Sequence, residues 1–400
     1  MRSRLPMRAH HGPRTARSGV VAVLACLLAW PGHTVAQSGA QTDTAEPAPS
    51  LAACRARFGV DKASEPACLR LVYTRPSSDW PAPHVDAGVA WRELAPLPDT
   101  PPHPADNPST PARIALGRRL FEDPKLSHSG QIACANCHDP QLGWGDGRSV
   151  SFGHDRKTGR RNSIGLQMSG FMRTLFWDGR ADSLEAQALH PLVDGVEMAN
   201  RSVARAVRRV RRDPSYRTQF REAYGDAPLD AALIAKSLAT FQRSLAPRRS
   251  RLDRFLEGSD TALSDRQLLG LHLFRTRARC MNCHSGPEMT DHSFHNLGLH
   301  FYGRERQDLG RYGITGDPAD AGRFRTPSLR GVARTAPYMH NGLIPSLDGM
   351  LRMYNVGMPR PRRGPDQRDD PLFPAPDPLL QPLDLSREEI DAIVDFLEQT

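Results

Sequence analysis

Apolar residues in this chain recur at helical rather than strand spacing. Ile114, Leu116, Leu120 and Phe121 can share one side of a helix that begins near residue 113. Leu233, Ile234, Leu238, Phe241 and Leu245 mark an amphipathic helix over 229–245 that ends before Pro247. Ser264-Asp265-Arg266-Gln267 is a capping box opening a helix toward Phe274. Ser386-Arg387-Glu388-Glu389 is another, followed by Ile390, Ile393, Val394 and Leu397 on one face. Leu347, Met350, Leu351 and Tyr354 follow i, i+3, i+4, i+7 spacing. Alternating strand patterns are scarce, so the fold class expected is mainly α.

Other stretches lack such periodicity. The first 36 residues run from five arginines through "GVVAVLACLLAW" to small residues at Thr34 and Ala36. That order is a secretory signal peptide cleaved after Ala36, which predicts export to the periplasm. The apolar run is too short for a permanent anchor, and no membrane span is expected after it. Residues 37–52 are small and polar and read as a disordered leader. Residues 74–112 hold "PSSDWPAPH" and "PLPDTPPHPADNPSTP" and read as an extended, proline-rich arm.

An internal echo organises the rest. "GRRLFEDPKLSHSGQIACANCH" and "GLHLFRTRARCMNCH" share Gly-x-x-Leu-Phe, a connector, and Cys-x-Asn-Cys-His. The two histidines lie 146 residues apart. One domain-sized unit is used twice. The domains expected are 1–36 signal, 37–112 leader and arm, 113–246 first domain, and 247–400 second domain.

The formal charge of +9 shrinks to +4 once the five arginines of the signal are removed. Such a balance does not point to nucleic acid. The dense basic segment "RSVARAVRRVRRDPSYR" reads either as a solvated helix face or as a docking patch for an acidic partner. Of the cysteines, Cys26 leaves with the signal and four belong to the echoed motifs. Cys54 and Cys68 remain, and in an oxidising compartment they are expected to pair.

Cys134-Ala135-Asn136-Cys137-His138 and Cys280-Met281-Asn282-Cys283-His284 carry the chemistry. A c-type haem needs two thiols to add across its vinyl groups and a histidine to bind its iron. A structural zinc site needs four closing ligands close together, and these pairs sit far apart. A redox dithiol expects a βαβ pattern, which is missing. Two such motifs behind an export signal predict two covalent haem c groups, with His138 and His284 as proximal ligands. Iron with an open position does peroxide chemistry; iron closed on both sides transfers electrons.

Over roughly residues 113–400 the chain resembles the bacterial dihaem cytochrome c peroxidases and their MauG-type relatives. Two long phrases carry the resemblance: "FWDGRADSLEAQALHPLVDGVEM" and "FRTPSLRGVARTAPYMHNG". It implies two cytochrome-c-like haem domains and a periplasmic oxidoreductase. Hydrogen peroxide would be reduced at the first haem, with electrons relayed via the second from a small redox protein or a protein substrate. The alternative is a dihaem electron-transfer cytochrome without peroxide turnover. By the resemblance, Trp177 lies between the haems, Gln187 and Glu197 line the peroxide pocket, and Pro191 is at the pocket wall. Asn162, Thr335 and Pro337 match a calcium site, and His340 a histidine near the second haem. His154 matches a residue that can close the first haem at rest. Tyr354 matches the MauG-type sixth ligand of the second haem; the peroxidases use a Met there. Ala278 and Arg279 stand where MauG has a Trp facing its protein substrate, so that substrate is not carried over.

Overall fold

A computed structural model describes residues 49–57 and 65–400. The export signal expected at residues 1–36 lies outside the described residues. Among these residues the fold is helical. The sole sheet is a short antiparallel pair, Phe294–His295 with Phe324–Arg325. No helix among them is long and apolar enough to cross a membrane.

The helices begin where side chains can satisfy their first N–H groups. Thr110 accepts from the Arg113 N–H and Pro111 opens the Pro111–Glu122 helix. Asp230 caps Ala231–Arg243. Ser264 and Ser386 close full capping boxes on Asp265–Arg275 and Arg387–Leu397.

Two helix pairs repeat one packing. Gly117 lies so close to the Ala231–Arg243 helix that a Cβ there would sit 2.0 Å from the Ser237 carbonyl oxygen. Gly270 meets Arg387–Leu397 in the same way, 2.0 Å from the Ala392 carbonyl oxygen. Each glycine opens the crossing so that Leu120 with Phe121, or Leu273 with Phe274, can bury beside it. The two buried clusters part between Leu245 and Leu252.

The amino-terminal stretch differs from the expected leader and arm. Short helices Leu51–Arg57 and Pro66–Tyr73 stand inside it, joined by a Cys54–Cys68 disulfide. Helices this short are marginal alone; the disulfide and the burial of Val72 against it hold them. Residues 74–110 contain no α-helix. They are nevertheless docked, because Trp80 and Leu94 belong to the second buried cluster. Glu93 pairs with the buried Arg275, and Arg330 donates to the Ala95 carbonyl at 2.8 Å.

Candidate active site

Each Cys-x-x-Cys-His motif begins on a single 3-10 turn, Cys134–Asn136 or Cys280–Asn282. Both histidines then point one ring nitrogen at backbone. His138 Nδ1 donates to the Trp144 carbonyl at 2.8 Å, and His284 Nδ1 to that of Met289 at 3.1 Å. This fixes the tautomer and leaves each Nε2 lone pair free for a metal. Burial pushes the Cys134 and Cys280 thiols up to about 12. A redox dithiol needs the opposite shift, so that reading fails here.

Both motifs open into one cavity of about 800 Å³. Its wall includes Gln187, Pro191, Glu197, Trp177, His340 and Tyr354. Asn162, Thr335 and Pro337 lie on the same wall. So does Arg325, which is 3% exposed. Among the described residues Arg325 has no carboxylate partner; it donates to the Phe176 carbonyl at 3.1 Å. A buried guanidinium without an anion is costly. The propionate carboxylates of a haem would supply such a charge. Free thiols, oriented imidazoles, an apolar cavity and an orphan cation therefore fit the group the motifs call for.

Glu197 lines this cavity and keeps more than a third of its surface exposed, so its burial is by the many protein atoms around it rather than by exclusion from water. Burial, then the Asp194 carboxylate, raise its carboxyl to about 7, against the pull of Arg180. Its backbone is fixed: the Glu197 N–H donates to Asp194 Oδ1 at 3.1 Å and the Met198 N–H to the Pro191 carbonyl at 3.2 Å. Gln187 stands on the neighbouring Leu184–Val193 helix and accepts from Gln242 Nε2 at 3.4 Å.

Trp177 occupies the seam between the two halves. Its Nε1–H donates to the Asn162 carbonyl at 2.9 Å, and the Asn162 N–H donates to the His340 carbonyl at 2.7 Å. The Trp177 and His340 rings meet edge to face at 6.5 Å. His340 stacks on Phe324 at 3.5 Å, and burial keeps its imidazole neutral, down to about 3.

The echo extends further than the sequence shows. The Leu175–Ala181 bridge and the Tyr338–Ile344 bridge close the same turn, 163 residues apart. That offset carries Ser183, the cap of Leu184–Val193, onto Ser346, the cap of Leu347–Asn355. It carries Trp177 onto His340, and Pro191 onto Tyr354. One half thus presents a ring without a ligand atom where the other presents a phenol. Tyr354 lines the cavity with the second motif, and burial, then the Cys283 and Cys280 thiols, raise its hydroxyl. Met350 also lines the cavity; Met353 and Met358 do not.

His154 is the exception among the expected site residues. It does not line the cavity. Its N–H is held by the Val196 and Glu197 carbonyls at 2.6 and 3.1 Å. Its ring sits edge-on to His128, 5.5 Å away. In this arrangement the ring packs on His128 and approaches Asp155 at 3.4 Å rather than lining the cavity.

One cluster was missed. His295 lies between Asp291 and Asp377 at 2.7 and 2.6 Å. Burial opposes its charge, but the two carboxylates win and raise it to about 12. Asp291, His295 and Cys283 approach metal-ligand geometry, yet Cys283 is the thiol a haem would take. Asp377 is 82 residues from His295, so no local pattern announces the pair.

Comparison with known proteins places this geometry. The family model for di-haem cytochrome c peroxidase matches residues 111–261, and a RoxA-like, cytochrome c-like model matches 323–355. The methylamine utilization protein MauG of Methylorubrum extorquens is 40% identical over 307 residues, covering 75% of this chain and 81% of that protein. The chain belongs to the di-haem cytochrome c peroxidase and MauG family.

The cytochrome-c peroxidase IdrP1 of a Pseudomonas species is 34% identical over 334 residues, or 76% of this chain and 84% of its own. A solved MauG-like protein associated with microbial copper homeostasis superposes with a TM-score of 0.68 at 33% identity, covering 78% of this chain and 95% of its own. As a dihaem family member the chain is an oxidoreductase with peroxide-related redox chemistry and two haem c groups. The residues described above are the ones available to hold them: Cys134, Cys137 and His138, and Cys280, Cys283 and His284.

Proposed function

We propose that this dihaem oxidoreductase is exported to the periplasm and reduces hydrogen peroxide to two waters at the site facing His138. The reaction consumes two electrons and two protons per peroxide. Haem held at the two motifs supplies iron redox chemistry and, at the first, a Lewis acid for the peroxide oxygen.

The chain's own residues do the remaining work. Pro191 offers no ligand atom, so the first site stays open to a small substrate. Glu197, tuned to about 7, takes a proton from one peroxide oxygen and returns it to the departing one. Gln187 orients the substrate by hydrogen bonding. Tyr354 would be the further protein ligand available to a haem at the second motif. Trp177, in the seam between the halves, passes electrons between the two sites. Asn162 donates Nδ2–H to the Arg148 carbonyl at 2.8 Å, which leaves Oδ1 as the acceptor end. With Thr335 and Pro337 on the same wall, it offers oxygen ligands suited to a calcium ion. The electrons come from a small redox protein or from side chains of a protein substrate.

The observation that carries this reading is one cavity shared by both motifs, with Glu197 and Gln187 in its wall. The test is a stopped-flow mix of the ferric protein with stoichiometric peroxide. A changed Soret band supports it. An unchanged band favours a dihaem electron carrier with a closed first site.

A further inference from the structure

The Pro66–Tyr73 helix ends on a buried tyrosine. Tyr73 is 1% exposed, and His272 and Arg275 of the Asp265–Arg275 helix are 8% and 1% exposed beside it. The Tyr73 hydroxyl lies 2.9 Å from His272 Nδ1 and 3.2 Å from Arg275 Nη1. A guanidinium can only donate, so the Tyr73 oxygen accepts from Arg275 and its own O–H donates to the imidazole. His272 Nδ1 is therefore the unprotonated nitrogen. Burial, then Arg275, push His272 down to about 4, so it stays neutral. Burial also pushes Tyr73 up to about 12, so the phenol keeps its proton. Among the described tyrosines it is the one bonded to an imidazole; Tyr338 donates instead to the Val332 carbonyl at 3.2 Å, which takes no proton.

The pair stands between the second motif and the surface. On its inner side, Tyr73 shares the second buried cluster with Ala278, Met281 and Met289, and Cys280 packs against that cluster. Phe274, between His272 and Arg275, lines the cavity, and the Ala278 N–H donates to the Leu273 carbonyl at 2.9 Å. The amino-terminal arm covers the motif here. The His84 N–H donates to the Arg275 carbonyl at 2.9 Å, Asp86 pairs with Arg279, and the Asp86 N–H donates to Asn282 Oδ1 at 2.8 Å. On the outer side, Trp80 meets Tyr73 edge to face at 4.9 Å and the Arg275 guanidinium at 5.1 Å. Trp80 follows the exposed Ser77–Asp79 turn, and its Nε1–H donates to the carbonyl of the exposed Arg75 at 2.9 Å.

We propose that Tyr73, with His272 as its base, is a redox-active tyrosine that carries single electrons from the surface at Trp80 to the second haem site. This rests on the peroxide reading above, which supplies the oxidant. A phenol gives up an electron readily only if its proton leaves at the same time. Here the electron passes to the oxidised second site, and the proton crosses the 2.9 Å bond to His272 Nδ1. A neutral tyrosyl radical and an imidazolium remain. One electron from a small redox protein, entering by Trp80, then restores Tyr73, and His272 returns the proton. Burial favours that return, because it disfavours the imidazolium.

The test is freeze-quench electron paramagnetic resonance on the full holoprotein mixed with peroxide and no donor. A tyrosyl signal is expected, narrowed when the protein is grown on ring-deuterated tyrosine. It should be lost in Tyr73→Phe and in His272→Gln, while the Soret change with peroxide reports that the haem sites of each variant are intact. Native protein carrying nitrogen-labelled histidine should show a nitrogen coupling in the radical, a readout that needs no variant. A native protein whose Soret band responds to peroxide without a tyrosyl signal overturns the redox tyrosine and leaves the peroxide reading standing. So does a signal that survives either substitution, or one without the histidine coupling. An unchanged Soret band in the native protein overturns both.

Discussion

Glu197 offers the sharpest test. It is raised to about 7, so about a tenth is ionised at pH 6 and about nine tenths at pH 8. The ionised form is the one that accepts the peroxide proton. The second-order rate of the Soret change with peroxide should therefore rise about tenfold from pH 6 to pH 8. The sign follows from the direction of the shift: an acid at its ordinary value would already be ionised at pH 6 and give a flat profile. Asp194→Asn removes the second-largest cause of the rise while keeping an acceptor for the Val196 and Glu197 N–H groups. It should move the inflection to lower pH. Glu197→Gln should flatten the profile and cost about 10²–10⁴-fold in rate. A flat profile in the native protein, or undiminished rates in Glu197→Gln, would refute the acid–base argument.

Three further outcomes follow from the packing and charge. Gly270→Ala puts a methyl 2.0 Å from the Ala392 carbonyl. Because backbone must shift, a loss of about 1–3 kcal/mol is expected in thermal melts, and an unchanged melting temperature would contradict the crossing. Arg325→Met removes the orphan cation from the cavity, so the midpoint potential of the nearer haem should fall; equal potentials in a spectroelectrochemical titration would separate Arg325 from the haem carboxylates. Tyr354→Phe should alter the absorption of the second haem alone, and a change confined to the first would move the ligand assignment elsewhere.

Much of the helical scaffold was legible because its signals are local. The caps at Ser264 and Ser386, the apolar stripe of Leu233 to Phe241, and the two Cys-x-x-Cys-His motifs all lie within a few residues of what they govern. Glu197 and Trp177 were legible only through the long phrases around them. Nothing in the periodicity of the chain separates Glu197 from a surface acid.

The sequence alone determined where helices start, the echoed motifs, and therefore the covalent chemistry available at two points. These depend on neighbours at i+3 or i+4 and on residue type. Only the tertiary structure decided that Arg325 has no carboxylate partner among the described residues, that His154 faces His128, and that Asp377 reaches His295. It alone decided that the proline-rich arm covers the second motif. Such facts depend on burial and on contacts spanning many tens of residues. Desolvation acts on a group only once the rest of the chain has closed around it, which is why the tuning of Glu197 belongs to the fold.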